Sequence, residues 1–298
     1  MTQMMEPMCD SHAHLNFPEL APQAVEVMRR AAEAGVTLII NIGTQPSTNE
    51  EVLQQVRSLP SAARAAGFEP PELRAALGFH PHEARVVTEA DWATLERQTA
   101  RQGSPQAADP LVVALGEFGL DFHYEHSPRA LQREVMHRGI DLAQRSGLPL
   151  VIHSREAGFE VIEALDRAAA QPGRTMPRGV FHCFTDAVEL AEAAVERGFY
   201  VGFTGIVTYP NAENVRQAAR RVPLGQMLVE TDAPFCTPEP VRSERRKKRG
   251  KGRDEPNEPA LVGGVCAKVA ELHGVTADEV RRATLENARR LFGLLAGH

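Results

Sequence analysis

Residues 9–16 read CDSHAHLN, with two histidines two positions apart directly after an aspartate. In an extended strand alternate side chains share a face, so His12 and His14 can aim both imidazoles at one point, as a metal clamp does. The pair alone assigns nothing, because paired histidines are also common on surfaces and in cores. Its meaning depends on partners downstream, and these recur. His80 and His82 stand in GFHPH, Glu117 in LGEFGLDFHY, His153 in LPLVIH, His182 in FHCFTD and Asp232 in LVETD. Mixed imidazole and carboxylate donors suit zinc, manganese and, less well, magnesium.

Each of these groups sits at the end of an apolar, β-branched run. Eight such runs occur: MCDSH, VTLIINIG, LRAALGFH, LVVALGEFG, LPLVIH, RGVFHCF, FYVGFTG and QMLVETD. Between them lie helical patterns such as PQAVEVMRRAAEAG, PRALQREVMHRGIDLAQRSG and DAVELAEAAVERG, with apolar residues three and four apart and glycine at the C-terminal end. Strand alternating with helix points to a parallel sheet. Eight units within 298 residues favour a closed (β/α)₈ barrel over an open doubly wound sheet, and no G-x-G-x-x-G follows the first strand. The chain therefore reads as one α/β domain, residues 1–298, a TIM barrel with two additional C-terminal helices at roughly residues 260–272 and 277–295. In such a barrel the C-terminal ends of all strands converge on one mouth. His12, His14, His80, His82, His153 and His182 fall at strand ends, whereas His123, His126, His137, His273 and His298 fall in loops, helices or the terminus.

Four imidazoles (His12, His14, His153, His182) and two carboxylates (Glu117, Asp232) exceed what one catalytic zinc ion takes while keeping a position open. Two ions are implied, with a carboxylate able to bridge them. Their residual positive charge would suit a hydroxide and an anionic substrate. A carboxylated lysine cannot serve as the bridge, because Lys247, Lys248, Lys251 and Lys268 all lie beyond the eighth strand. Glu117 is the best bridge, with flanking glycines that let the backbone turn tightly at the strand end.

Composition narrows the class. With 43% hydrophobic and 24% charged residues the chain is a soluble globular protein able to bury a sizeable core. The longest apolar stretch, VTLII, is far too short to span a bilayer, and no export signal is seen. Cys9, Cys183, Cys236 and Cys266 form no C-x-x-C pair, so a disulfide framework or zinc knuckle is not expected and a reducing cytoplasm fits. The net charge of −6 is uneven: residues 242–253, RSERRKKRGKGR, hold eight basic residues and one acid. An otherwise acidic body excludes an all-over nucleic-acid coat, and the basic loop reads as a solvated segment that can touch a phosphate backbone locally.

Taken together, DSHAHL, ALGFHPH, ALGEFGLDFHY, LPLVIHSREA, FHCFTD, VGFTGIVTYPNAENVR, LVETDAPF, NEPALV and TLENARRLFGL resemble the TatD-type metal-dependent deoxyribonucleases, in the family's order and over nearly the whole chain. The resemblance implies a metal-dependent phosphodiesterase on a (β/α)₈ barrel. It implies His12 and His14 on one metal, His153 and His182 on the other, Glu117 between them and Asp232 beside the nucleophilic water. It also implies substrate-phosphate contacts for His80, His82 and Arg155, and exonuclease action from the 3′ end of DNA. Family members usually reach NEP through a shorter and less charged link than residues 242–253. The expected reaction is phosphodiester hydrolysis with two divalent ions activating a water, Asp232 orienting it and accepting its proton. A narrow mouth favours single-stranded ends, and Phe17, Phe79, Phe122 and Phe235 beside the motifs offer either base stacking or core packing. Two other readings stand beside this one. The same metal site could hydrolyse an amide, a base or an aminoacyl-tRNA ester, or a noncatalytic barrel could use metal for stability through closed coordination.

Overall fold

A computed structural model describes residues 6–100, 109–249 and 255–295. Eight parallel strands follow one another around a nearly closed barrel in sequence order. They are β1 (Met8–Ala13), β2 (Val36–Ile42), β3 (Glu72–Leu77), β4 (Val112–Asp121), β5 (Leu150–Arg155), β6 (Gly179–Phe181), β7 (Tyr200–Phe203) and β8 (Met227–Val229). Every apolar run named above supplies one strand. Closure comes at the end of β1 and just past the end of β8, where Ala13 and Ala233 form a parallel bridge. There Asp232 N–H donates to His12 O at 2.9 Å and His14 N–H to Ala233 O at 2.8 Å. Below them the buried Asp10 carboxylate accepts from Thr231 N–H at 2.9 Å and from its hydroxyl.

The surrounding helices are α1 (Ala24–Glu33), α2 (Pro46–Ala65), α3 (Glu89–Thr99), α4 (Arg129–Ser146), α5 (Gly158–Ala169), α6 (Val188–Glu196), α7 (Glu213–Arg221), α8 (Val241–Arg249), α9 (Val262–His273) and α10 (Ala277–Leu291). Capping boxes at Thr88 and Thr276 start α3 and α10, and left-handed glycines at 147 and 274 end α4 and α9. One helix, α2, lies outside the helical patterns named above, and another, α8, departs from the sequence reading. α2 carries Pro60 inside it, which masks a helical pattern, yet Val52, Val56, Leu59 and Ala63 still line one buried face. α8 covers most of the basic run expected as a loop: its consecutive long cationic residues are good helix formers, and the Arg242 guanidinium lies over the Tyr209 ring at 4.3 Å. Positions 250–253 of that run lie outside the described residues. Among the described residues no single helix is long and apolar enough to cross a membrane.

Strand alternation divides the core in two. Ile39, Leu150, Ile152, Phe181 and Val229 face the helices, while Leu38, Ile40, Val151, Val180 and Leu228 face the barrel interior together with Ala288, Leu291 and Phe292 from the α10 end. The terminal helix thus plugs the barrel floor. Two residues beyond the interior Val151, Val180 and Leu228, on the same faces, stand His153, His182 and Glu230. β4 corrects one expectation. Glu117 lies within the strand rather than at its end, because β4 shifts register against β5 between Leu115 and Phe118 and then continues to Asp121. Gly116 (φ 151°) and Gly119 (φ 158°) permit this. A Cβ at 116 would stand 2.6 Å from Val151 O, and one at 119 would stand 1.8 Å from His153 O.

Candidate metal centre

The two oxygens of Glu117 face two separate groups of donors. Oε1 lies 3.2 Å from His12 Nε2 and 3.4 Å from His14 Nε2, and these nitrogens lie 3.6 and 3.4 Å from Asp232 Oδ1. Oε2 lies 2.8 Å from His182 Nε2, 3.5 Å from His153 Nδ1 and 3.7 Å from His80 Nε2. Residues from five strands and the turns behind them thus meet around one carboxylate.

Hydrogen bonds on the far sides of the rings decide which nitrogen keeps a lone pair. His14 Nδ1–H points at Ile42 O (3.1 Å), which frees Nε2. His153 Nε2–H points at Asp121 Oδ2 (3.2 Å), which frees Nδ1. His80 behaves oppositely: its Nδ1 accepts from His82 N–H at 3.1 Å, so the proton sits on Nε2, which can donate to His153 Nδ1 at 3.2 Å. His80 is therefore built as a donor, although its position alone would also allow it to hold a metal with Glu117 and His153. His12 and His182 stack in parallel at 4.0 Å, and each leaves a buried Nδ1 with no hydrogen-bond partner among the described residues, that of His182 standing 3.8 Å from Glu230 Oε1. His12 Nε2 and His14 Nε2 stand only 3.2 Å apart. Lone pairs and carboxylate oxygens crowded at such distances make a donor cluster that fits metal binding.

The protonation pattern tells the same story. Burial alone would raise Glu117, yet His182 and His12 hold it well below the usual carboxylate range. Burial, with His182 beside it, drives His12 down to about 4. Burial also opposes the charge on His153, but hydrogen bonds to Asp121 and Glu117 outweigh it and push the ring up to about 9. Protons on the imidazoles whose pKa values are raised, His14, His153 and His182, offset the carboxylates, so the site is a place for positive charge.

Asp121, Glu230 and Asp10 support this cluster and escape the sequence reading. Asp121 Oδ2 accepts from both His153 and His82 (2.8 Å), Oδ1 from the backbone N–H groups of His123 and Tyr124, and its own N–H is held by Gln132 of α4. Burial opposes the charge, and His153 and His82 hold this carboxyl far below its ordinary range. Glu230 sits in the space left by Gly202, where a Cβ would come within 2.7 Å of its Oε2, and accepts from Ser11 Oγ at 3.1 Å. Burial raises both Glu230 and Asp10 to about 7. A period-two reading from Glu117 and from Asp232 would have marked Asp121 and Glu230, since each shares the parity of its neighbour.

Above the cluster opens a cavity of about 560 Å³ lined by His80, His82, Tyr124, Arg155, Phe17 and Phe235, among others. Arg155 does not pair with Glu156, which instead accepts from His123 Nδ1 at 2.7 Å; its guanidinium lies over the Tyr124 ring at 4.7 Å. Of the four phenylalanines, Phe79 is core, packed on Trp92 and Phe118, and Phe122 lies under Arg129. Phe17 and Phe235 meet edge to face at 5.9 Å on the cavity rim, with Phe235 half exposed. His123 and His126 lie around Tyr124 rather than in the cluster.

A family model described as TatD related DNase matches residues 9–293. The chain is 34% identical over 283 residues to the uncharacterized metal-dependent hydrolase YabD of Bacillus subtilis, covering 95% of this chain and 98% of that protein. It is 30% identical to the 3′-5′ ssDNA/RNA exonuclease TatD of Erwinia amylovora, covering 96% of this chain and all of the relative (100%). The crystal structure of YjjV, a TatD homologue from Escherichia coli, superposes with a TM-score of 0.79 at 29% identity, covering 97% and 99% of the two chains. With this barrel, this donor set and this span of similarity, the chain belongs to the TatD-related family of metal-dependent hydrolases.

Proposed function

We propose that the protein is a two-metal phosphodiesterase that removes nucleotides from the 3′ end of single-stranded DNA in the cytoplasm. The observation that carries this reading is Glu117, whose oxygens are shared between His12, His14 and Asp232 on one side and His153 and His182 on the other. Two bound divalent cations, zinc, manganese or magnesium, would supply Lewis acidity and a water of lowered pKa. The chain does the rest. Asp232 keeps Oδ1 toward His12 and His14, which leaves Oδ2 to take the proton of the attacking water. Glu117 stays ionised and fixes the spacing of the two halves. His80, with Nε2–H toward the cluster, donates to phosphate oxygens; His82, whose Nε2–H is given to Asp121, lines the phosphate position beside it, and Arg155 offers its planar fork at the rim. Phe17, Tyr124 and Phe235 provide faces for unstacked bases, which a paired duplex would not present. A relative named as an ssDNA/RNA exonuclease supports the same substrate class.

The test strips the metal, restores Mg²⁺, Mn²⁺ or Zn²⁺ in turn and follows end-labelled single- and double-stranded oligonucleotides, with Glu117→Ala and Asp232→Ala as controls. Stepwise shortening of single strands from the 3′ end, lost in both variants, is expected. Hydrolysis of small amides or esters with every oligonucleotide left intact would overturn the reading, as would wild-type cleavage by either variant.

A further inference from the structure

Two of the four cysteines are sealed in the core: Cys9 of β1 and Cys266 of α9 are fully buried, and Cys9 Sγ donates to Thr284 O. The other two, Cys183 directly after His182 and Cys236 in the loop beyond β8, line the mouth cavity as free, half-buried thiols. Their sulfurs and a carboxylate oxygen of Asp232 all lie within 4.8 Å of one another. We infer that Cys183, Cys236 and Asp232 form a binding site for one soft divalent cation, such as zinc or cadmium, beside the histidine centre.

The geometry suits that chemistry. Donors held tetrahedrally at about 2.3 Å from an ion stand roughly 3.5–3.8 Å apart, and Cys236 Sγ lies 3.7 Å from Asp232 Oδ2. Thr204 Oγ1, 3.7 Å from Cys183 Sγ, stands on the other flank. The oxygens of Asp232 divide between the two sites, Oδ1 toward His12 and His14 and Oδ2 toward the thiols, so the new site needs no donor atom from the first. The backbone aims all three residues: Cys183 (φ 44°), Asp232 (φ 51°) and Cys236 (φ 55°) are three of the five non-glycine residues with positive φ among the described residues. Donor softness separates the two sites. Thiolates prefer zinc and cadmium, whereas the imidazole–carboxylate centre also accepts manganese and, less well, magnesium. Binding replaces two S–H bonds with two S–metal bonds and releases both protons to solvent. Under the proposed mechanism, this soft ion would occupy the Asp232 oxygen assigned to the proton, so it would act as an inhibitor; the site itself stands without that mechanism.

The test titrates CdCl₂ into the reduced, metal-stripped full-length chain in excess Mg²⁺ and follows sulfur-to-cadmium charge-transfer absorption, a readout that needs no turnover. The wild type should develop the band; Cys183→Ser and Cys236→Ser should each lose most of it, and the double variant all of it. In parallel, Cd²⁺ should shield Cys183 and Cys236 of the wild type from alkylation, mapped by mass spectrometry. This second measurement does not depend on any variant folding. Absence of the band in wild type with both thiols reduced, an equal band in the double variant, or shielding confined to Cys9 and Cys266 would overturn the inference.

Discussion

The two ends of the barrel are made from the same strand faces and do different work. At the floor, Leu38, Ile40, Val151, Val180 and Leu228 meet Ala288, Leu291 and Phe292 in a dry apolar layer. Two residues further along, the same faces present His153, His182 and Glu230, and five further candidate metal ligands crowd around Glu117 at the mouth. Burial is similar at both ends, but its consequence is opposite. At the floor it stabilises through loss of apolar surface to water, whereas at the mouth it confines charge that needs cations or protons to balance it. Stability and chemistry are thereby separated along the barrel axis.

The sharpest way to break that separation is at the bridge. Glu117→Gln should lower kcat by about a thousandfold or more, and Asp232→Asn by about 10²–10⁴-fold, while thermal unfolding of the metal-free protein stays close to wild type. A large loss of stability in either variant would mean the mouth also holds up the fold. The converse substitution, Phe292→Ala at the floor, should cost about 3–5 kcal/mol of stability by denaturant unfolding and leave kcat of the folded fraction unchanged. Asp121 lies between these extremes. Asp121→Asn keeps the shape but weakens the hold on His153 and His82, and metal affinity measured by calorimetry should fall about 10–100-fold. Unaltered affinity would remove Asp121 from the support of the centre.

The outer ring should respond least. Asp166 of α5 accepts two hydrogen bonds from Arg197, each at 2.8 Å, and this guanidinium lowers its pKa. A depressed carboxyl pKa means stability present above the unfolded value and lost as the pH falls through the folded one. Both partners are substantially exposed, so screening limits the contribution to less than about 1 kcal/mol. Asp166→Asn should therefore lower the unfolding midpoint slightly at pH 7 and by progressively less as the pH falls below about 4, with activity unchanged.

The legible parts of the molecule were those where period and residue type coincide. The eight strands stand out as β-branched runs, and His12, His14, His153, His182 and Asp232 stand out because polar residues close apolar runs there. Glu117 is legible as a donor but not as a mid-strand residue, because the register shift depends on Gly116 and Gly119 clearing the β5 backbone, a long-range fit. α2 hides behind Pro60, and α8 looks like a charged loop because it buries almost no apolar face. Asp121 and Glu230 look like ordinary acids until the partners that hold them, Gln132, Ser11 and the emptied position at Gly202, arrive from distant segments.

The central claim is that Glu117 is shared by two cations. Anomalous diffraction from crystals of the zinc- or manganese-loaded protein tests it directly. Two peaks are expected, one among His12, His14 and Asp232 and one between His153 and His182, with a Glu117 oxygen bound to each. A single peak, or a pair of peaks that leaves Glu117 outside the coordination of either, would contradict the account.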